Sequence, residues 1–284
     1  MRVVFCHSDK PREHLLADAF SEGVRRHGDE CSLQALTPDH ATVPAEVACM
    51  VGVKSRELYQ AYYQQGTHIV YLDKGYTRHA RPGPVKVWEY WRVSIDAHHP
   101  TAYLERPDMP DDRLDDLGLV LKSWRKKGDH IVLAGSSQKY HDFYGLRHPT
   151  QWAQKVVKQI QNAAPGRRIV YRPKPSWKEA VPIEGTEFSR QGDIYDVLEN
   201  AWALVTHGSN AVFEAIVEGV PCIVLGDAVA KPISSSTIEE IESPILACYA
   251  ARHQWLANLS YWQWTMPELA GGQAWDFLRP KIYG

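Results

Sequence analysis

The stretch from residue 205 to residue 214, VTHGSNAVFE, has the residue types and spacing of a phosphate-binding turn. An apolar run ends at Thr206, and Gly208 lets the backbone approach a ligand closely because glycine has no Cβ. Ser209 is a suitable N-cap for a following helix, whose free N–H groups favour a phosphate. Glu214 lies more than one turn along and can accept hydrogen bonds from a ribose diol. An ordinary capped β-α-β unit has the same pattern, so both interpretations stay open.

Two more polar loops follow apolar runs in this half of the chain. The loop 135–139 offers its glycine, two serines and lysine to a pyrophosphate. The segment YRPKP ends an apolar run with Arg172 and Lys174, whose charges can neutralise a leaving pyrophosphate without a metal ion. An ordinary polar loop and ordinary surface charges are the alternative explanations.

These motifs together resemble the C-terminal signature of glycosyltransferases with the two-Rossmann GT-B fold. The turn, the glutamate and the Gly-x-Pro at 219–221 are similar to those of capsule-polysaccharide transferases and of sugar-nucleotide 2-epimerases. The resemblance covers residues 132–244, with Lys174 in place of the histidine in an Arg-Pro-His-Pro segment. It implies a nucleotide-sugar site in the C-terminal domain, with a uridine diphosphate sugar preferred and Glu214 on the ribose. The implied donor-binding set is Gly135, Ser136, Ser137, Lys139, Arg172, Lys174, His207, Gly208, Ser209, Asn210 and Glu214.

The N-terminal half supplies candidates for acid–base chemistry. Direct displacement with inversion needs a base that deprotonates the acceptor hydroxyl. Asp73 follows the clearest predicted strand, where ligands of open α/β sheets bind, and ranks first. Asp96 and His98 are the other candidates, and each of the three has an ordinary structural role as its alternative. The pair His98-His99 is a weak metal signal without a further ligand at a suitable spacing, so no metal site is predicted.

Residues 76–103 interleave basic and aromatic side chains, a pattern suited to the acceptor. Basic groups can contact phosphates, and aromatic rings can stack on bases or sugars. Phage enzymes that glycosylate hydroxymethylated bases in DNA have the same fold, and the chain is compatible with them, provided that the base is flipped out of the duplex. A glycan or a small molecule is the alternative acceptor. The predicted acceptor contacts are Tyr76, Arg78, Trp91 and Arg92.

Short apolar runs and amphipathic segments alternate along the sequence that must position these residues. This alternation predicts an α/β fold with two Rossmann-like domains facing a cleft, each built on a parallel sheet flanked by helices. We expect an acceptor domain over residues 1–120 and a nucleotide-sugar domain over 121–284, joined by a linker near 117–127. The aromatic segment 254–283 can pack back on the first domain.

Composition narrows the class of protein. The 284 residues are 44% apolar and 23% charged, and the net charge of −2 gives no general attraction to nucleic acid. No apolar run approaches the roughly 18 residues that span a bilayer, and the N-terminal run is too short for a signal peptide. We therefore expect a cytoplasmic protein, in the host cytoplasm if it is phage-encoded. The five cysteines are widely spaced and odd in number, which disfavours a zinc cluster or a disulfide framework.

The sequence thus predicts a metal-independent, inverting glycosyltransferase whose nucleotide sugar is a co-substrate and which uses no other cofactor. P-loop, G-x-G-x-x-G and G-x-S-x-G motifs do not occur, which disfavours kinases, nicotinamide enzymes and α/β-hydrolases. A 2-epimerase-like isomerase would share the nucleotide site but need several acid–base groups around one sugar. A non-catalytic nucleotide- or glycan-binding module is the third hypothesis.

Overall fold

The chain divides into two compact units in a computed structural model. The structure describes residues 1–54, 56–77, 80–81, 87–106 and 109–283, with the backbone alone at 80–81 and 87–88. Unit 1 comprises Met1–Pro100 and Tyr261–Gly284, and unit 2 comprises Thr101–Ser260. Among the described residues, no helix combines the length and the apolarity needed to cross a membrane.

Unit 1 is built around a six-stranded sheet of the described residues, in which the late strand β13 (Gln263–Thr265) is at one edge and the order is β13-β7-β4-β3-β1-β2. Strands β1 to β4 run parallel, as the alternation of strands and helices predicts. The elements up to Pro100 are β1 (Arg2–His7), α1 (Pro11–Arg26), β2 (Glu30–Ala35), β3 (Val47–Val51), α2 (Arg56–Gln64), β4 (His68–Lys74), β5 (Ala80–Arg81), β6 (Val87–Trp88) and β7 (Tyr90–Ile95).

Strand β7 corrects the expectation of a purely parallel sheet, because it pairs antiparallel with β4. A parallel neighbour needs a crossover, usually a helix, whereas the described part of the chain between β4 and β7 contains only the short strands β5 and β6. The return brings Arg92 directly opposite Asp73, on the same face of the sheet.

Unit 2 has a sheet whose described strands are all parallel, in the order β10-β9-β8-β11-β12. Two short 3₁₀ turns, Lys231–Ile233 and Ile238–Glu240, follow its last strand. The helices and strands are α3 (Thr101–Leu104), α4 (Leu114–Leu117), β8 (His130–Ala134), α5 (Gln138–Tyr144), α6 (Pro149–Ala163), β9 (Arg168–Arg172), β10 (Glu187–Phe188), α7 (Ile194–Leu198), β11 (Ala201–Thr206), α8 (Ala211–Val217), β12 (Cys222–Val224) and α9 (Tyr249–Ser260).

The division between the units differs from the boundary predicted at residue 120. Residues 101–120 belong to unit 2 because α3 and α4 both pack on α9. Asn258 of α9 donates from Nδ2 to the carbonyl oxygens of Arg106 (2.5 Å) and Leu104 (3.3 Å). Arg252 of the same helix donates to the carbonyl oxygens of Lys122 and Ile216. These long-range contacts are invisible in local composition.

The chain after Ser260 is part of unit 1. It forms β13 (Gln263–Thr265), α10 (Met266–Gly271) and α11 (Gln273–Tyr283). Strand β13 extends the sheet antiparallel to β7, and α10 packs on α1. Asp29, whose side chain is 2% exposed, links the two ends of the unit. Its carboxylate accepts hydrogen bonds from the amino group of Met1 and from Trp275 Nε1 (2.8 Å), and it pairs with Arg279 (3.0 Å).

We predict that Asp29→Ala lowers the free energy of unfolding by about 2–4 kcal/mol, because it leaves buried donors and a charge without their partner. Burial alone raises the pKa of Asp29, but the hydrogen bonds from Met1 and Trp275 outweigh it and lower the pKa. The contribution is therefore complete above the ordinary carboxyl pKa of about 4 and is lost as pH falls through the lowered value. Denaturant unfolding at pH 7 and at pH 3 measures both effects.

Asp276→Ala on the exposed side of α11 is the matched control, since that side chain is 78% exposed. Equal unfolding midpoints for the two variants at pH 7 would contradict the role of Asp29.

Candidate functional site

The carboxyl ends of β8 and β11 lie side by side in the middle of the unit 2 sheet. Thr206 pairs with Ala134, and its Oγ1 donates to the Ala134 carbonyl oxygen (2.8 Å). The chain leaves β8 towards β9 on one side and returns to β11 on the other, so the two strands flank a topological switch point. Ligands of open α/β sheets bind in the crevice outside such a point. The turns 135–139 and 207–210 begin there, next to each other.

The first of these turns holds the predicted phosphate ligands after β8. The Gly135 N–H donates to the Arg172 carbonyl oxygen (2.9 Å), which ties the turn to the neighbouring strand β9. Ser136 is buried, Ser137 is half-buried just before α5, and Lys139 is exposed. Because Ala134 pairs with Thr206, this turn begins beside the second turn.

Arg172 and Lys174, the predicted pair of cations, lie in different environments at the end of β9. The Arg172 guanidinium is 5% exposed and donates to the carbonyl oxygens of Gln191 (2.5 Å) and Gly192 (2.6 Å). Burial lowers the pKa of Arg172. Its charge therefore holds the loop at 189–192, whereas Lys174 is exposed beyond the strand end.

The second turn begins its helix later than predicted. The first helical residue is Ala211, and Asn210 rather than Ser209 occupies the N-cap position, with an αR backbone. Ser209 Oγ still accepts from the Ala211 N–H (3.3 Å), and Thr206 Oγ1 accepts from the Ser209 N–H (3.1 Å). Two hydroxyl groups thus fix the turn. Glu214 is in α8 and is only 3% exposed.

His207 stands in a group of aromatic rings that sequence analysis missed. Its Nδ1 lies 3.1 Å from Tyr140 Oη, and the two ring centroids are 5.9 Å apart. Tyr144 and Trp152 are 6.1 Å and 6.4 Å from the same imidazole. Burial, with a smaller effect of nearby His141, lowers the pKa of His207 to about 4. The imidazole is therefore neutral at physiological pH.

In unit 1, Asp73 and His98 come together around a buried arginine. Arg92 is 3% exposed, and its Nη2 donates to Asp73 Oδ2 (3.2 Å) and to His98 Nε2 (2.7 Å). The same His98 nitrogen is 3.7 Å from Asp73 Oδ2. The Asp73 side chain remains 32% exposed, so a carboxylate next to an imidazole is open to solvent at the end of β4.

The second terminal nitrogen of the Arg92 guanidinium, Nη1, also has two hydrogen-bond partners. Nη1 donates to Tyr76 Oη (2.9 Å) and to His99 Nδ1 (2.7 Å), and both partners are 1% exposed. Burial and the charge of Arg92 hold the pKa of His99 well below its usual range. Burial would raise the pKa of Asp73, but the neighbouring His98 imidazole and the charge of Arg92 outweigh it and leave that pKa well below normal.

Asp96 lies apart from this group. Its Oδ1 accepts from the Ile69 N–H (2.7 Å), and its Oδ2 is 2.8 Å from His68 Nδ1. Ile69 precedes Asp73 by four residues along β4, which corresponds to about 13 Å at the rise of a strand. Asp96 has a positive φ of 56°, and the turn there sends the chain back so that His98 reaches Arg92.

The predicted acceptor contacts are interior residues where the structure describes them. Tyr76, Trp91 and Arg92 are 1%, 1% and 3% exposed. Arg92 serves Asp73, and Trp91 faces the core beside Trp264 of β13. Tyr76 and Arg92 are hydrogen-bonded to partners inside the unit, and Trp91 packs in the core, which disfavours direct contact of these three with an acceptor. The fourth, Arg78, lies outside the described residues.

Sequence analysis also missed a polar group after β1. Glu13 is 2% exposed, and its carboxylate accepts from Lys54 Nζ (2.9 and 3.1 Å) and from the Ser8 N–H (2.9 Å). His7 and His14 lie beside each other there, with ring centroids 4.4 Å apart. Strands β1 and β3 are neighbours in the sheet, with β2 on the outer side of β1 and β4 on the outer side of β3. The polar group after β1 therefore also lies at a topological switch point. The polar run directly after the buried strand β1 is the sequence signal that could have revealed this group.

Comparison with solved structures identifies the fold. Thermosulfurimonas dismutans KpsC, beta Kdo 2,7 transferase, superposes with a TM-score of 0.57 at 12% identity, over 99% of this chain and 100% of that one. The beta Kdo 2,4 transferase of KpsC from the same organism gives 0.55 at 12% identity, over 93% and 91%. No family model and no curated protein matches the sequence. The predicted α/β fold with two Rossmann-like units, the GT-B type, is thereby confirmed.

Proposed function

We propose that the protein is a metal-independent, inverting glycosyltransferase that moves a sugar from a nucleotide donor to an acceptor hydroxyl. The observation that carries the proposal is the pairing of the turns 135–139 and 207–210 at the switch point of the unit 2 sheet. The likeness to two Kdo transferases in fold supports it.

Unit 2 takes the nucleotide sugar in this proposal. The N–H and hydroxyl groups of the two turns, with Lys139 and Lys174, bind the phosphates, and Glu214 accepts from the ribose. His207 contributes a neutral imidazole, because its pKa of about 4 keeps it uncharged. The donor is a uridine diphosphate sugar by analogy with GT-B enzymes. Nucleotide-activated Kdo is a second donor to test, since the similar structures are Kdo transferases.

Unit 1 activates the acceptor. The acceptor hydroxyl gives its proton to the Asp73–His98 pair, its oxygen bonds to the anomeric carbon, and the bond from that carbon to the phosphate oxygen breaks. The nucleotide leaves with that electron pair, and donors already in place in the turns stabilise its charge. Arg92 keeps Asp73 ionised and in position.

We further propose a saccharide or a small polyol as the acceptor in preference to modified DNA. Tyr76, Trp91 and Arg92 are buried, so they present neither a stacking face nor a charge to a duplex. The partly exposed side chain of the cluster is the carboxylate of Asp73, whose negative charge does not attract a phosphate.

Incubation with a panel of sugar nucleotides, read by mass spectrometry, tests the proposal. Uridine diphosphate hexoses and nucleotide-activated Kdo form the panel, with a mixture of oligosaccharides as acceptors. Transfer to a saccharide, or slow hydrolysis of one donor, supports a glycosyltransferase. An epimerised donor supports the isomerase instead, and binding without turnover supports a non-catalytic module.

Duplex DNA that contains a hydroxymethylpyrimidine forms a separate arm. A DNA enzyme binds it with an affinity that falls steeply as salt rises, because phosphate contacts release counterions. We expect no such binding and no label transfer to DNA. Transfer to the modified duplex would overturn the saccharide proposal while leaving the glycosyltransferase proposal intact.

Glu214→Gln tests the ribose contact, because it keeps the shape of the buried side chain and removes its charge. We expect donor binding to weaken by about 1.5–3 kcal/mol, the value of a charged hydrogen bond, or roughly 10- to 150-fold in Kd. Glu218→Gln is the control, since that carboxylate pairs with Lys122 at the far end of α8. Calorimetric titration with the active donor checks both variants, and equal affinities would reject the ribose role.

Asp73→Asn tests the base. We expect kcat to fall by about 10²–10⁴-fold with donor affinity retained, because the amide keeps the shape but not the basicity. Asp96→Asn is the matched control and should stay active, since Asp96 binds the Ile69 N–H away from Asp73.

The pH profile adds a second test of Asp73. Its lowered pKa means that the carboxylate is ionised throughout the neutral range, so activity should be lost only when pH falls below the usual carboxyl range. If kcat of the wild-type enzyme already falls as the pH drops just below neutral, the group whose protonation limits the rate is not Asp73.

A further inference from the structure

Two glycines of unit 2 make room for one side-chain pair. A Cβ on Gly208 would overlap Tyr140 Oη and the Asp227 carbonyl oxygen, and a Cβ on Gly226 would overlap the His207 ring. Neither glycine has a positive φ, so the backbone conformation alone does not require glycine at these positions. The space left by the two missing Cβ atoms is occupied by the Tyr140 hydroxyl and the His207 imidazole, which contact each other.

The hydrogen bond in this contact sets which imidazole nitrogen carries the proton. A neutral imidazole has one N–H donor and one acceptor nitrogen. The Tyr140 hydroxyl lies 3.1 Å from His207 Nδ1, and when the hydroxyl donates, Nδ1 accepts and the proton resides on Nε2. The rings of Tyr144 and Trp152 limit the orientations open to the imidazole.

We propose that Tyr140 is a positioning residue of the donor site: its hydroxyl donates to His207 Nδ1 and so presents Nε2–H as a hydrogen-bond donor to the phosphate of the nucleotide. The inference rests on the proposed function, in which the turn 207–210 binds that phosphate. A fixed N–H donor stabilises developing negative charge without reorganisation during the reaction. Tyr140 itself does not contact the substrate in this arrangement.

The tautomer of His207 tests the first half of the proposal without any ligand. Long-range ¹H–¹⁵N spectra of protein labelled at histidine report the protonation of each ring nitrogen, and His207→Asn assigns the signals. We expect His207 to be protonated at Nε2 alone at pH 7, and a mixture of tautomers in Tyr140→Phe. A proton on Nδ1 in the wild-type protein, or an unchanged tautomer in Tyr140→Phe, would overturn the proposal.

Calorimetric titration with UDP tests the second half. Tyr140→Phe should raise the Kd for UDP by about 3- to 10-fold, the effect of one hydrogen bond, with the melting temperature little changed. Gly226→Ala should weaken UDP at least as much, because the new methyl group displaces the His207 ring. Gly166→Ala is the matched control, since a Cβ there meets open space and the φ is ordinary.

The two measurements separate this inference from the proposed function. Equal UDP affinity of wild-type protein and Tyr140→Phe, with the tautomer altered, would reject the positioning role while leaving the nucleotide site in place. If the wild-type protein fails to bind UDP, the proposed uridine nucleotide site is rejected. The proposed contact of His207 with the phosphate is then rejected too, whichever tautomer is found. Weaker UDP binding together with tautomer mixing supports the proposal.

Discussion

The adjacency of β8 and β11 is the constraint on which the candidate site of unit 2 depends. Both strands are buried and parallel, so their carboxyl ends must meet at one edge, and the bond from Thr206 Oγ1 to the Ala134 carbonyl oxygen fixes the level at which both turns begin. The same hydroxyl also accepts from the Ser209 N–H. A slip of one residue in either strand would turn the polar groups of one turn away from those of the other. The site is therefore a consequence of strand register.

Unit 1 is organised by the need to compensate one buried charge. A guanidinium taken out of water is tolerated only when its donors and its charge have partners, and Arg92 finds them in Asp73, His98, His99 and Tyr76. This need explains why residues suited by type to an acceptor surface lie inside the unit. It also leaves one carboxylate, next to one imidazole, at the exposed rim of the cluster. In the proposed function, Asp73 therefore serves both as the base and as a partner of the buried Arg92.

Local signals in the sequence predicted most strands and the position of the turn 207–210, because buried strands are apolar runs that end at polar turns. They did not predict contacts between distant parts of the chain. The carbonyl oxygens that engage Arg172 come from a loop about twenty residues later, and Tyr140 meets His207 across 67 positions. Asp96 and His98 are two residues apart, yet the positive φ at Asp96 sends them to different places. The division of the contacts at residue 100 differs from the predicted boundary for the same reason, since residues 101–120 join unit 2 through long-range packing such as that on α9.

Because Arg172 is hydrogen-bonded to the loop 189–192, the proposed donor site has to stabilise a leaving phosphate without this guanidinium. In the proposed function the developing charge is then met by the N–H groups and hydroxyls of the two turns, together with the exposed side chains of Lys139 and Lys174. Hydrogen bonds depend on distance and angle far more steeply than a charge at long range does. In the proposed site, precisely placed neutral donors take the place of net charge. The lack of a Cβ at Gly208 and Gly226 leaves the space in which the His207 imidazole lies against the Tyr140 hydroxyl.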